Sequence, residues 1–266
     1  MTHFLMLQAA WLSYSPILIE GPDAGKYLQG QLTCDVLNLS EQTAQLTAHC
    51  NAQGRMVSLG YLIKNKQAEK YLYLIPKDIS EFALKNLKKF VLRSKVQIKL
   101  MTPDTQVIGL WGNLDLLEDL KDLKKINLFK LDSQRALVLL DPENQELGCN
   151  KLRPYEAWLE NQIENKSAWL TPETLEKFLP DEIKLASQNG VCLTKGCFIG
   201  QEIIARMHYL GHSKNNLSHK SSDDLMLKPL DSFITENFSG KIICQVILNQ
   251  KNHCLFLSKT SQEKPT

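Results

Sequence analysis

The spacing of apolar positions changes several times along the chain, and each change marks an element. Residues 16–20, PILIE, read as a short strand, followed by Gly21-Pro22-Asp23, a turn whose aspartate can cap the next helix. That helix is predicted through AGKYLQGQL. From 44 to 100 the pattern becomes AQLTAHC, a turn at NAQG, RMVSLGYLI, a polar turn and KYLYLIP, three segments rich in residues that strands favour. Asp78 then stands where it can cap a helix, ISEFALKNLKKFVL, in which Ile79, Phe82, Leu87 and Phe90/Val91 fall near helical spacing, before KVQIKL returns as a strand.

A second run of similar size follows: VIGLWG as strand, NLDLLEDLKDL as helix, INLFK and RALVLLD as strands, and LRPYEAWLENQIEN as helix. Strands and helices alternate without the long parallel βαβ rhythm, which predicts an α+β fold rather than a doubly wound sheet. Residues 213–225 are the most polar, linker-like stretch. Past them KIICQVILN and HCLFLSK, joined at NQKN, predict a β-hairpin in a small all-β tail.

Composition narrows the class without naming an activity. With 43% hydrophobic and 23% charged residues among 266, the chain is neither disordered, collagen-like nor coiled-coil. No apolar run reaches the roughly 18 residues that span a bilayer, so a soluble protein without a membrane partner is expected. Lys+Arg number 31 against 29 Asp+Glu, so any nucleic-acid partner must read a local patch. Seven cysteines in no paired framework suit a reducing compartment, and the N-terminal residues lack the pattern of a cleaved leader. The bacterial cytoplasm is the expected location.

The most unusual local sequence is LTKGCFIGQEIIARMHYLGHSKNNL, residues 193–217. It sets Cys197 between Gly196 and Gly200, beside Lys195 and just before a helix predicted to begin near Gly200. Glycines let a backbone approach a ligand closely, and a lysine with a helix N-terminus favours a thiolate. The alternative is a cysteine that merely fills space. Cys192, five residues earlier, is a candidate resolving thiol. His208 and His212 have metal-ligand spacing, but Gly211 between them is expected to end the helix, so no metal site is assigned. Basic residues at 85, 88, 89, 93, 95 and 99 could meet phosphate or could be a solvated helix face, which the acidic stretch 115–122 would offset.

A second group lies in the first sixty residues. Gln29, Gln31, Thr33 and Asp35, then Asn51, Gln53 and Arg55, gather near glycines at element ends. Amides and a carboxylate offer the paired donors and acceptors that suit a flat heterocycle such as a pterin or purine. Each residue alone can equally cap a helix or turn a hairpin.

Together, LQGQLTCDV, NAQGR and above all KGCFIGQEIIAR resemble the YgfZ proteins, folate-binding relatives of the aminomethyltransferase (T-protein) of the glycine cleavage system. The resemblance covers about residues 15–217. It implies a ring of T-protein/YgfZ-like α+β (ferredoxin-like) modules with a small C-terminal β-barrel. Residues 1–213 would hold two modules, one inserted at about 44–140, and 214–266 a small, reduced barrel. It further implies tetrahydrofolate as ligand and a role in assembling or maintaining iron–sulfur enzymes, including those of tRNA modification, which would be the client partners. Cys197 would be the functional thiol, with Lys195 beside it as the other catalytic candidate. Gln201, Glu202 and Arg206 would join the seven polar residues above at the folate site.

Two departures stand out. The family's aromatic-Arg-Gly and Asn-Lys-Arg after the motif are replaced here by Tyr209-Leu210-Gly211-His212-Ser213-Lys214-Asn215-Asn216, and its Gly-Ile-Pro is replaced after Glu164 by Asn165-Lys166-Ser167-Ala168. A folate-dependent aminomethyl or one-carbon transferase is the competing enzyme reading. It lacks support where the T-protein relatives carry acids in a GG-x-x-DD-like segment, because this chain reads NAQGRMVS there. Direct tRNA binding through Lys85–Lys99 is a third reading.

Overall fold

A computed structural model describes residues 6–65, 69–101, 105–117, 127–140, 152–210, 216–223, 226–234 and 238–260. Thirteen described strands form three antiparallel sheets. Strands β2 (Tyr14–Glu20), β3 (Ala44–Cys50), β4 (Met56–Lys64), β5 (Lys70–Pro76) and β6 (Gln97–Leu100) make a five-stranded sheet in the order β3-β4-β5-β2-β6. Strands β1 (Gln8–Leu12), β7 (Gln106–Trp111), β8 (Asn127–Lys130) and β9 (Arg135–Leu140) pair in the order β1-β7-β9-β8. Only Ser13 separates β1 from β2, so the chain passes directly from one sheet to the other.

The five-stranded sheet is apolar on both faces because its side chains alternate between two cores. Leu18, Leu59, Tyr61, Ile63, Leu72 and Leu74 join one cluster, which includes Trp158 and Ile163 of helix α3 (Tyr155–Glu164). Ile17, Ile19, Leu62, Tyr73 and Ile75 join the other, with Leu28 of α1 (Ala24–Gln31) and Ala83 and Leu87 of α2 (Ser80–Lys88). A polar relay crosses the first core. Arg135 donates to Gln162 at 2.6 Å, and Gln162 donates to the Tyr61 hydroxyl at 2.9 Å, joining β9, α3 and β4.

Both expected aspartate caps are corrected by the fold. Asp23 stands at the N-cap of α1, but its carboxylate accepts the backbone N–H of Lys95 at 2.7 Å instead of capping the helix. Asp78 lies in a 3-10 turn, Lys77–Ile79, and Ile79 takes the N-cap of α2. The apolar side of α2 is Ile79, Ala83 and Leu87, whereas Phe82 and Phe90 stay 37% and 42% exposed. Of the expected helix over 113–123, Asn113 is not helical, Leu114–Leu117 is a 3-10 turn, and 118–123 fall outside the described residues.

The tail forms the third sheet: β10 (Asn216–Ser222), β11 (Ser232–Ile234), β12 (Phe238–Leu248) and β13 (Lys251–Thr260), in the order β10-β13-β12-β11. The expected hairpin is present, turning on Asn249 and Gln250, both at positive φ as a tight two-residue hairpin requires. Ile243, Cys244, Val246, Leu255 and Leu257 enter the same core cluster as α3, and His253 meets Glu160 of that helix at 3.3 Å. The result is a mixed fold of antiparallel sheets and four described α-helices, with α4 (Gln201–Leu210) beginning where the sequence places it. Among the described residues no helix is long and apolar enough to cross a membrane.

Candidate functional site

The three sequence segments singled out above meet in one junction. Helix α1 ends at Gln31, and the chain after it is bound to two other segments. Thr33 receives the N–H of Cys192 on its carbonyl at 2.8 Å and donates its hydroxyl to the Gly190 carbonyl at 2.6 Å. The Ala48 N–H in turn donates to that hydroxyl at 3.0 Å. Thr33 is fully buried, so its hydroxyl is a structural joint between β3 and the 190–192 segment.

Lys195 is the second joint. Its ammonium donates to the carbonyls of Gln29, Leu32 and Cys34 at 2.7, 2.5 and 2.6 Å, and lies 4.8 Å from the Phe198 ring centroid. A cation at the C-terminal end of α1 is favoured by the helix dipole and satisfies carbonyls that the helix leaves open. Burial pulls this amine down to about 8, and the nearby Cys34, Asp35 and Cys192 oppose the fall. The expected service of Lys195 to the Cys197 thiol is therefore replaced by a different one, since its three N–H groups go to backbone oxygens. Cys34 is buried among these groups, and desolvation pushes its thiol up to about 11.

The third joint is a close backbone approach. Gly200 has φ +80°, and a side-chain carbon there would come within 2.6 Å of the Asn51 carbonyl and 2.8 Å of the Gly54 Cα. Gly54, at φ +74°, is less crowded, since a side-chain carbon there would stand 3.2 Å from Ile203 Cβ, and its backbone conformation is what calls for glycine. Only glycines permit this seat of the NAQG turn against the start of α4. The turn itself is built by Asn51, whose side-chain oxygen accepts the N–H groups of Gln53 and Arg55, both at 3.0 Å. Asn51 donates from its amide to Glu176 at 2.8 Å, and Arg55 donates to the Lys177 carbonyl at 2.7 Å. A carboxylate absent from the NAQG segment itself thus arrives from residue 176.

Gln201 accepts the Phe198 N–H at 3.3 Å and donates to the Leu193 carbonyl at 3.4 Å, closing the loop that carries the cysteine. Within that loop Cys197 is exposed, as are Glu202 and Arg206 on α4. Gln53 and Arg55 are exposed too, whereas Gln31 is buried, with its side-chain oxygen unpartnered among the described residues.

A cavity of about 620 Å³ opens beside the junction. Asp35, Asn38, Gln45, Asn189, Cys192 and Thr194 line it, and His208 and Tyr209 close one side. Of the residues assigned to the ligand from sequence, Asp35 alone lines this cavity. Its carboxylate accepts from Asn38 at 2.8 Å and Gln29 at 2.9 Å, and these bonds, led by Asn38, hold it below the usual carboxylate range. Sequence reasoning missed Asn38, Gln45 and Asn189, which carry no motif and are united only by the fold. His212 lies outside the described residues, and no group of three or more metal-ligating side chains occurs among the described ones.

The fold is similar to that of a solved aminomethyltransferase. The crystal structure of glycine cleavage system aminomethyltransferase T from Bartonella henselae matches with a TM-score of 0.71 over 97% of this chain and 79% of that one, at 12% identity. No protein-family model matches the chain. Among curated relatives, the "tRNA-modifying protein YgfZ" of Colwellia psychrerythraea is 32% identical, covering 77% of this chain and 68% of its own length. The protein of the same name from Vibrio atlanticus is 30% identical, over 85% and 75% respectively. The chain belongs to the YgfZ family.

Proposed function

We propose that this protein is a folate-binding accessory factor that supports the assembly or maintenance of iron–sulfur enzymes, including enzymes of tRNA modification, in the bacterial cytoplasm. The observation that carries this reading is the junction itself: three motif segments from distant parts of the chain are bound into one unit that presents Cys197 to solvent. A structural cysteine would be buried; an exposed one on a braced loop is available to a client protein.

Tetrahydrofolate suits the neighbouring cavity chemically. An ionised Asp35 can accept paired N–H groups from a flat heterocycle, and Asn38, Gln45 and Asn189 supply amides of either polarity. Folate, once bound, would serve as a one-carbon carrier or as a conformational ligand. In this reading Gln29, Thr33, Asn51, Lys195 and Gln201 position the site and do not touch the ligand. The two N-terminal sheets would belong to the two modules of the family's ring, and the β10–β13 sheet would be its reduced barrel.

Titrating the purified protein with tetrahydrofolate tests the ligand. Saturable binding well below millimolar, weakened at least tenfold by Asp35→Asn, is expected; an affinity no better than millimolar, about −4 kcal/mol, overturns it. Cys197→Ser should keep folate affinity and lose rescue of iron–sulfur enzyme activity in cells lacking the protein. Full rescue by that variant removes the thiol from the function.

A further inference from the structure

The longest run of like charge in the chain is left unused by the junction. From Phe82 to Leu100 there is no acidic residue, and Lys85, Lys88, Lys89, Arg93 and Lys95 are all exposed. These side chains lie on α2, on the connection after it and beside the edge strand β6. Lys99 on β6 is paired with Glu20 at 3.3 Å, but among the described residues the other five basic side chains make no ion pair. A solvated helix face ordinarily mixes charges of both signs. Here Glu81 opens α2 four residues before Lys85, but beyond it one sign prevails in a chain whose net charge is only +2.

Exposed apolar groups are interleaved with the charges. Phe82 and Phe90 are 37% and 42% exposed, and Leu92, at φ +39°, is 88% exposed. Aromatic faces beside a basic track are the combination that holds single-stranded nucleic acid, with bases stacking while phosphates meet lysine and arginine. Residues three and four apart on a helix stand about 5–6 Å from one another, a spacing on the scale of adjacent phosphates in an extended strand. A membrane surface fits less well. The apolar side of α2 is buried in the core through Ile79, Ala83 and Leu87, so the helix has no free apolar face to insert.

We propose that the face formed by α2, the 89–96 connection and β6 binds single-stranded RNA, its basic side chains on the phosphates and Phe82 and Phe90 against the bases. This goes beyond the folate reading and does not depend on it. The test is fluorescence anisotropy of a labelled 12-nucleotide single-stranded RNA with the full chain. With three or four phosphate contacts, affinity should fall about 20–50-fold between 50 and 200 mM salt. K88E/R93E should weaken binding at least tenfold and flatten the salt dependence, and F90A should weaken it about fivefold with the salt dependence retained. K259E, the same change on the C-terminal sheet, should stay within twofold, and urea midpoints show that the variants remain folded. Absence of binding at 50 mM salt, a salt-independent signal, equal loss in K259E, or retention on phosphatidylserine vesicles but not on RNA would each overturn the proposal.

Discussion

The motif junction and the basic face of α2 handle polar atoms in opposite ways. In the junction, side chains that look like ligand contacts in the sequence are turned inward. Lys195 holds three carbonyls, Thr33 joins two segments, Asn51 builds a turn and Gln201 closes a loop. On α2 the lysines are exposed and form no ion pair among the described residues. A motif can therefore be dense in chemistry-bearing residues and still use many of them for geometry, leaving Cys197, Gln53, Arg55, Glu202 and Arg206 exposed and Asp35 on the cavity wall. Strand β3 links the two regions, because His49 bridges to Leu32 of the junction while its ring stands edge-on to Phe90, 6.4 Å away.

Removing the lysine clamp should break the contrast most severely. Lys195→Met keeps the stem but leaves the carbonyls of Gln29, Leu32 and Cys34 without their donor, and hydrogen bonds to charged groups are each worth about 1.5–3 kcal/mol. Relief of the lysine's own desolvation offsets part of this, so a net loss of about 4 kcal/mol in urea unfolding is expected. Amide exchange should accelerate in residues 190–200 but not in α2. A catalytic amine would show the reverse, with unchanged stability and lost function.

Local patterns were legible where local forces decide. The hairpin at Asn249-Gln250, the strands of the five-stranded sheet and the start of α4 follow from residue preference and turn chemistry within a few residues. The partners of Lys195 lie more than 160 residues away, and nothing in KGCFIGQE says that its lysine will reach the end of α1. The cap rule failed at Asp23 for the same reason, since a backbone N–H 72 residues away takes its carboxylate. Phe82 and Phe90 misled because helical spacing reports which positions could be buried, and Ala83 filled the place first. The kinship was readable because KGCFIGQE, NAQGR and LQGQLTCDV occur in order, yet their contact is a property of the fold.

The seam at His49 offers a probe by pH. Burial, with a further contribution from Lys89, lowers this imidazole to about 4 from an ordinary 6.5, and neither ring nitrogen has a partner among the described residues. A depressed folded value means that the neutral ring is the one the fold accommodates. Its contribution is complete above about pH 6.5 and is lost as pH falls through 4, a change approaching 3 kcal/mol. His49→Phe should flatten the decline in urea stability between pH 7 and 4. If the variant declines as steeply as the parent, carboxylates govern the acid limb and the seam is inert.

The two glycines flanking Cys197 give the smallest and sharpest discrimination. A methyl group at Gly200 would strike the Asn51 carbonyl at 2.6 Å from a backbone already at φ +80°, so Gly200→Ala should destabilise by about 2 kcal/mol through crowding and strain. A methyl group at Gly196 meets nothing within 4 Å, so Gly196→Ala should change stability by under about 0.5 kcal/mol. Paired urea curves and alkylation rates of Cys197 read both effects. Gly200→Ala should alter the thiol's reactivity because it lifts the loop from the NAQG turn, while Gly196→Ala leaves the seat intact. If instead Gly196→Ala abolishes rescue in cells with stability and folate affinity unchanged, the open space at Gly196 is where a client's backbone docks against the thiol. Equal stability losses at both positions would mean that the cysteine loop is braced along its whole length rather than at Gly200.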